Sequence, residues 1–340
     1  MLKNKKIYKG EDAVHSFLRP EGVGFAPMVE LPSSINPFKK DKVRIYVKMV
    51  QFVPLFNIKY LPAYNMLANI PKKDLKKIEN LVEYSSGNTV LSLSILAQYF
   101  GIKNVHAIIT PDVPSHKKNL LQLVGTNLLI SNGPASPDVF GNEGGIHDAK
   151  MLGKKAGWYN LNQYVNEANQ KASEQYIGKE IWSQFGKKLS IFVSSIGTGG
   201  TIFGSGTFLK KKNKKIYILG VAIQKGSSVP GPRGEAMIHK LGIPWEGVTD
   251  EVLAINMTES YRYSLDLIRL GLFVGPSTGM QLSALIKKIE ELKMKKMLKD
   301  FRNEDGEVVC SIIACDTMFP YIDDYFEVLP SHLFPEIKKM

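Results

Sequence analysis

Leu81-Val82-Glu83-Tyr84-Ser85-Ser86-Gly87-Asn88-Thr89 reads as a short apolar run that ends in four small polar residues around one glycine. The run has strand length. From 89 to 100 the apolar residues switch to helical spacing, and Gly101 is placed to stop that helix. Residues 105–109 then read as a strand, 115–124 as a helix and 127–130 as a strand. Strand–helix–strand–helix–strand is the pattern of a parallel sheet with helical crossovers. Upstream, 43–47 is a further strand candidate. Downstream of a Gly/Pro/Asn-rich stretch (131–145), helix signals cover 167–185, a strand covers 189–194, and a glycine-rich turn leads into a helix ending near Lys210. A strand at 216–221, a helix at 260–270, a short strand at 272–274, a long helix at 277–292 and a buried strand at 308–314 complete the series. No internal repeat interrupts it. The expected fold is α/β, with two open parallel-sheet units.

Composition agrees with that class. The chain has 340 residues, 44% hydrophobic and 22% charged, which suits one large or two ordinary globular domains and excludes a disordered or fibrous chain. No apolar run approaches the roughly 18 residues of a membrane span, and no apolar signal core follows the basic start Met1-Leu2-Lys3-Asn4-Lys5-Lys6. Cys310 and Cys315 are the only cysteines, so a disulfide framework and a cysteine-built zinc site are both excluded. A reducing, cytoplasmic compartment is expected. The six histidines are scattered without an i,i+4 pair, and no metal site is expected. The net charge of +12 comes from 38 Lys and 6 Arg against 32 acids. Its lysines fall in short groups such as Lys72-Lys73, Lys210-Lys211-Lys212 and Lys295-Lys296, where solvated helix ends and turns are expected. Nucleic-acid binders concentrate charge on one element, often with Arg and aromatics. Neither nucleic acid nor membrane is expected as a partner.

In open parallel sheets, ligands sit beyond the carboxyl ends of the strands, on turns that lead into helices. Three turns fit. Gly197-Thr198-Gly199-Gly200-Thr201 lets backbone N–H groups converge ahead of a helix N-terminus, which suits a phosphate, although a tight turn without a ligand reads the same way. It is neither a Walker loop nor a dinucleotide fingerprint, because no Gly-Lys-Thr/Ser closes it and no acid follows about 20 residues on. Ser85-Ser86-Gly87-Asn88-Thr89 offers many donors to a carboxylate, or is an N-cap cluster. Gly275-Pro276-Ser277-Thr278-Gly279 also enters a helix, with Ser277 readable as its cap.

Taken together and in order, these turns resemble the β-family (fold type II) of pyridoxal-phosphate enzymes, the cysteine synthase and cystathionine β-synthase group. The family's pattern runs Ser-x-Lys, Thr-Ser-Gly-Asn-Thr-Gly, Gly-x-Gly-Gly-Thr, Gly-x-Ser-x-Gly. The resemblance covers about residues 24–325. It opens at Phe25-Ala26-Pro27-Met28-Val29-Glu30-Leu31, runs through Asn162-Gln163-Tyr164, Ala168-Asn169 and Glu180-Ile181-Trp182, and closes at Cys315-Asp316-Thr317 to Tyr321, similar to Asp-x-Gly-x-x-Tyr. Val53-Pro54-Leu55-Phe56-Asn57-Ile58-Lys59-Tyr60-Leu61 aligns without a gap over the family's lysine segment and puts Lys59 at the Schiff-base position.

The resemblance implies two three-layer domains with pyridoxal 5'-phosphate in the cleft between them. Residues 54–162 would form the smaller, mobile domain with the substrate-carboxylate loop, 1–53 plus 163–330 the larger cofactor-binding domain, and 331–340 a C-terminal tail. It further implies that Lys59 is the catalytic lysine, that Gly197, Thr198, Gly199, Gly200 and Thr201 hold the phosphate, that Asn88 meets the ring hydroxyl and Ser277 the pyridine nitrogen. Ser85, Ser86, Gly87, Thr89 and Gln163 would bind the substrate carboxylate. A neutral hydroxyl at the pyridine nitrogen gives a weaker electron sink, suited to elimination and replacement. The implied reaction is β-replacement on O-phosphoserine or O-acetylserine by sulfide or another nucleophile, through an aminoacrylate, in a homodimer. Ser227-Ser228-Val229-Pro230-Gly231-Pro232-Arg233 resembles the Ser-Ile-Pro-Gly-x-Arg stretch of O-phosphoserine-using sulfhydrylases. Arg233 would pair with an anionic leaving group, or form a structural salt bridge to Glu235 or Asp250.

Departures from the family cluster near the lysine. Val53, Phe56, Asn57, Tyr60 and Leu61 replace Asn, Gly, Ser, Asp and Arg, and Val90 replaces the glycine that closes the asparagine loop, where its bulk is expected near the substrate. Two alternatives therefore stay open: a β-eliminase of the serine dehydratase or cysteine desulfhydrase type, and a weakly active or regulatory cofactor-binding homologue.

Overall fold

The computed structural model describes residues 7–134 and 138–338; the basic start, residues 135–137 of the Gly/Pro/Asn-rich stretch and the last two residues of the tail lie outside them. The described residues hold ten strands: β1 (Met28–Glu30), β2 (Val43–Lys48), β3 (Asn80–Tyr84), β4 (Asn104–Ile109), β5 (Asn127–Ile130), β6 (Trp158–Asn160), β7 (Leu189–Ser195), β8 (Tyr217–Ile223), β9 (Glu251–Ile255) and β10 (Val308–Ile313). They form two sheets, one ordered β1-β2-β10-β7-β8-β9 and one ordered β5-β4-β3-β6. Every pairing is parallel except β1 with β2, where Met28 stands opposite Lys48. The helices that matter here are α1 (Tyr60–Ala68), α2 (Asn88–Leu96), α3 (Ser115–Leu123), α4 (Gly144–Leu152), α5 (Glu167–Ser173), α6 (Gly200–Lys212), α7 (Met257–Arg269), α8 (Pro276–Met294) and α9 (Ile322–Val328).

Both sheets are covered on both faces, and this accounts for their continuous apolar runs. In β7, Ile191 and Val193 face Leu282 and Leu285 of α8, while Phe192 shares the opposite core with Ile202 and Leu209 of α6. In the smaller sheet, Leu81, Val105 and Ala107 pack with Leu93 and Leu96 of α2, and Val82 and Ile108 pack with Ile146 and Ala149 of α4. The first of these cores is continuous between the two units: Ala63 and Leu67 of α1 join Ala168 and Ala172 of α5 to the smaller sheet's core.

The inner strands match the expectations within two residues. Three strands were not anticipated. β1 and β6 are edge strands of three residues, too short to show an apolar run, and β9 is a half-buried edge strand whose run Val252-Leu253-Ala254-Ile255 the sequence reading passed over. The strand expected at 272–274 is absent. There the Leu272 amide closes helix α7 on Leu267 O, the Val274 amide turns back to Leu272 O, and Ser264 Oγ donates to Val274 O. With these groups satisfied by helix and turn, no strand neighbour is needed. The helix expected over 167–185 is interrupted by a π-turn at Glu174–Gly178. Among the described residues no helix is long and apolar enough to cross a membrane.

Candidate active site

The turns after β3, β7, β8 and β10 converge on one cavity of about 810 Å³. Of the residues singled out in the sequence, Lys59, Ser85, Ser86, Gly87, Asn88, Thr89, Gln163, Gly197, Thr198, Gly199, Thr201, Arg233 and Ser277 all line it. Gly200 does not. It sits behind the loop, where a Cβ would stand 2.4 Å from Asn169 Oδ1.

The loop after β7 forms an anion cradle at the start of α6. Gly199 adopts φ 86°, a left-handed conformation that turns successive amides toward one point. At Gly197 a Cβ would stand 2.8 Å from Gly231 O and 3.8 Å from Lys59 Nζ, so only glycine fits between the loops. Asn169 Nδ2 donates to Thr198 Oγ1 at 3.0 Å, and Thr198 Oγ1 accepts from the Gly200 amide at 3.3 Å, fixing the loop from behind.

Lys59 enters from the other side. Its ammonium is pushed below its ordinary value by burial, opposed by the nearby Cys315 and Asp316 side chains. The residues around it that depart from the family's pattern take structural roles. Tyr60 and Leu61 are core residues, and Tyr60 Oη donates to Leu18 O at 2.7 Å. Asn57 Oδ1 accepts from the Tyr60 amide at 3.1 Å and from Ser92 Oγ at 3.2 Å, so it seats the first turn of α1. Leu55 and Phe56 both take positive φ, 65° and 54°, although neither is glycine. Val90 is fully buried in the core and does not line the cavity, so its bulk goes into packing and not toward a substrate.

The loop after β3 is tied to the crossover into the larger unit. Thr89 Oγ1 donates to Gln163 Oε1 at 2.8 Å, Gln163 Nε2 donates to Tyr84 O at 3.2 Å, and Asn169 Nδ2 donates to Gln163 O at 2.7 Å. One chain of bonds thus connects the loop after β3 to the glycine loop after β7 through Asn169. Glu83, just before the loop, is fully buried and its carboxyl is pushed up to about 8 by desolvation.

Arg233 is buried, with its guanidinium 4.8 Å from the centre of the Tyr164 ring and a hydrogen bond to that tyrosine. The sequence offered Glu235 or Asp250 as salt-bridge partners. Instead Asp250 takes Lys210 at 2.6 Å, and Glu235 Oε1 accepts from the Lys225 amide at 3.4 Å. Ser277 lies in the first turn of α8, beside the Cys315 thiol, which burial raises to about 11. Among the described residues no cluster of metal-ligating groups occurs.

Sequence reasoning assigned no role to Asp316, Tyr321, Cys315, Tyr84 and Tyr164, all of which line the cavity. Asp316 is buried, and its carboxyl is raised to about 6 by desolvation, against hydrogen bonds from Tyr321 and Asn88 and the charge of Lys59. The closing segment that resembles Asp-x-Gly-x-x-Tyr was the available signal for it.

The residues fit pyridoxal phosphate: a glycine-lined anion cradle, a desolvated lysine against that cradle, and a hydroxyl at Ser277 share one cavity. The family described as pyridoxal-phosphate dependent enzyme matches residues 20–300. A cysteine synthase of Aquifex aeolicus (strain VF5) is 30% identical over 280 residues, 80% of this chain and 83% of that one. Among solved structures, O-acetylserine sulfhydrylase isoform 3 from Entamoeba histolytica superimposes with a TM-score of 0.76 at 23% identity, over 97% of this chain and 95% of that one. An O-ureido-L-serine synthase gives 0.75 at 22% identity, over 92% and 95%. At such identities these two likenesses speak for the fold. With the family match across most of the chain and the cradle, lysine and hydroxyl in one cleft, the chain belongs to the pyridoxal-phosphate-dependent enzymes, in the cysteine synthase family.

Proposed function

We propose that this enzyme carries out β-replacement on a β-substituted L-serine, O-phosphoserine or O-acetylserine, with sulfide or a related nucleophile. The observation that carries the reading is the placement of Lys59 Nζ against Gly197, in the same cavity as the 85–89 loop. When bound, pyridoxal phosphate supplies an aldehyde that captures amines and a ring that takes up the electrons freed at the substrate α-carbon. The amides of 197–201 and the N-terminus of α6 hold its phosphate. Desolvation keeps a larger share of Lys59 unprotonated, so its amine accepts the α-proton. Ser85, Ser86 and Thr89, with Gln163 bonded to Thr89, hold the substrate carboxylate. Ser277 offers the ring nitrogen a neutral hydroxyl. Arg233, held by Tyr164, faces the cavity and receives an anionic leaving group. We take residues 54–162 as the body that closes on substrate and the working form as a homodimer, both on the resemblance to the family, and we place the enzyme in the cytoplasm on its two-cysteine composition.

Pyridoxal phosphate added to the purified protein is expected to give a visible band that is lost in Lys59→Ala. With O-phosphoserine or O-acetylserine and sulfide, cysteine should accumulate. Pyruvate and ammonia in its place would establish an eliminase, and no band at all would overturn the cofactor reading.

A further inference from the structure

We propose that Asp316 is a positioning residue that sets which end of the Asn88 amide faces the Lys59 side of the cleft. The inference rests on the cofactor reading above. Asn88 Nδ2 donates to Asp316 Oδ2 at 2.6 Å, and Tyr321 Oη donates to the same oxygen at 2.6 Å. Asp316 is 5% exposed, and its Oδ1 has no hydrogen-bond partner among the described residues.

A carboxylate only accepts hydrogen bonds, whereas an Asn side chain has an accepting oxygen and a nitrogen with two donors. Facing Asp316, Asn88 can present only its nitrogen; the reversed amide would set two oxygens against each other in a buried site. One N–H of Asn88 is then held by Asp316, with Tyr321 Oη a longer 3.5 Å from the same nitrogen, and the second N–H can serve an acceptor in the cleft. The carboxyl value of about 6 makes Asp316 an ionised acceptor at neutral pH and above.

Asp316 is also fixed relative to the lysine. Asn57 and Asp316 form a β-bridge, and the Ile58 amide donates to Cys315 O at 2.6 Å, so the segments carrying Lys59 and Asp316 are joined by backbone. Asn88 starts α2, on the smaller unit, while Asp316 follows β10 of the larger one. The bond therefore orients the amide only when the two units are together. The acceptor it serves is a ring oxygen beside the lysine, which gains negative charge more readily next to a fixed N–H donor.

The test is spectroscopic and needs no turnover. In the protein loaded with pyridoxal phosphate, the long-wavelength visible band reports an ionised ring oxygen, and a shorter-wavelength band reports a neutral one. Asp316→Asn, which accepts Asn88 either way round, should raise the ratio of the short to the long band about tenfold. Asn88→Ala should give the same spectrum, and the double variant Asn88→Ala/Asp316→Asn should add nothing, because one residue acts through the other. If Asp316→Asn does not fold, Asp316→Ala, which leaves the Asn88 amide free to take either orientation, should show the same short-wavelength shift. An Asp316→Asn spectrum identical to wild type, or a double variant whose shift is the sum of the singles, overturns the proposal and leaves the cofactor reading standing. A wild-type protein without any band overturns both.

Discussion

At the residue scale, the segment ahead of Lys59 takes left-handed backbone at two positions without a glycine. Phe56 stands where the family has glycine, at φ 54° and 66% exposed. A non-glycine residue in that conformation carries about 1–2 kcal/mol of strain, while glycine adds about 0.5–1 kcal/mol of unfolded-chain entropy. Phe56→Gly is thus expected to stabilise the protein by about 0.5–1 kcal/mol, because an exposed ring has little packing to lose. A higher urea midpoint at unchanged slope would show it; a lower midpoint would mean that the left-handed turn is unstrained here. Most of the site was legible because its residues sit in tight turns whose composition is local. Asp316 was not, because its partner Asn88 lies 228 positions away and only the folded chain brings the two together. Tyr60 and Leu61 read in the sequence as lost charges, and only the core beneath Lys59 shows what they do.

At the scale of elements, burial and length together decided what could be read. The inner strands β3, β4, β7, β8 and β10 announced themselves as apolar runs, as did the edge strand β5, whereas the edge strands β1 and β6 are only three residues long. The apolar residues at 272–274 were read as a strand because a short apolar run does not distinguish a strand from a turn that buries only Val274 and leaves Phe273 exposed. Within β3, Glu83 breaks the apolar pattern, and this has a measurable cost. Its carboxyl value of about 8 in the folded chain exceeds the ordinary 4.5, so the folded state keeps a proton that the unfolded chain releases. Stability should fall as pH rises from about 4.5 to about 8 and level off beyond, by a total on the order of 5 kcal/mol. Glu83→Gln removes the titrating group while keeping an acceptor for the backbone. Its denaturation midpoint should therefore exceed that of wild type at pH 8–9 and fall toward it near pH 5. Equal pH dependence in the two proteins would show that Glu83 is already ionised at neutral pH.

For the whole molecule, the two units meet around the cleft through a few specific contacts as well as through the shared core at α1. On the cavity wall, Lys117 of α3 lies 3.5 Å from Asp324 of α9, and Tyr261 Oη of α7 donates to Asp324 Oδ2 at 3.1 Å. An ion pair as long as 3.5 Å at the mouth of a cleft contributes about 1 kcal/mol or less to stability. Its effect should instead be kinetic: Asp324→Asn is expected to leave the melting temperature within about 2 °C while speeding exchange of the bound cofactor, as followed by stopped-flow absorbance. Unchanged exchange rates would show that this contact does not hold the units together. The net charge of +12 is borne by dispersed lysines, and among the basic residues only Lys59 and Arg233 carry assigned work at the site. The strand order has a last consequence. β10, made from residues 308–313, lies between β2, made from 43–48, and β7. During synthesis on the ribosome, the smaller sheet is complete once β6 has emerged, whereas the larger sheet lacks an interior strand until residues 308–313 are out. The nascent protein must therefore carry β2 with one edge unpaired while the residues between 48 and 308 are made, and a chain cut short before β10 has all strands of the smaller sheet but no closed larger one.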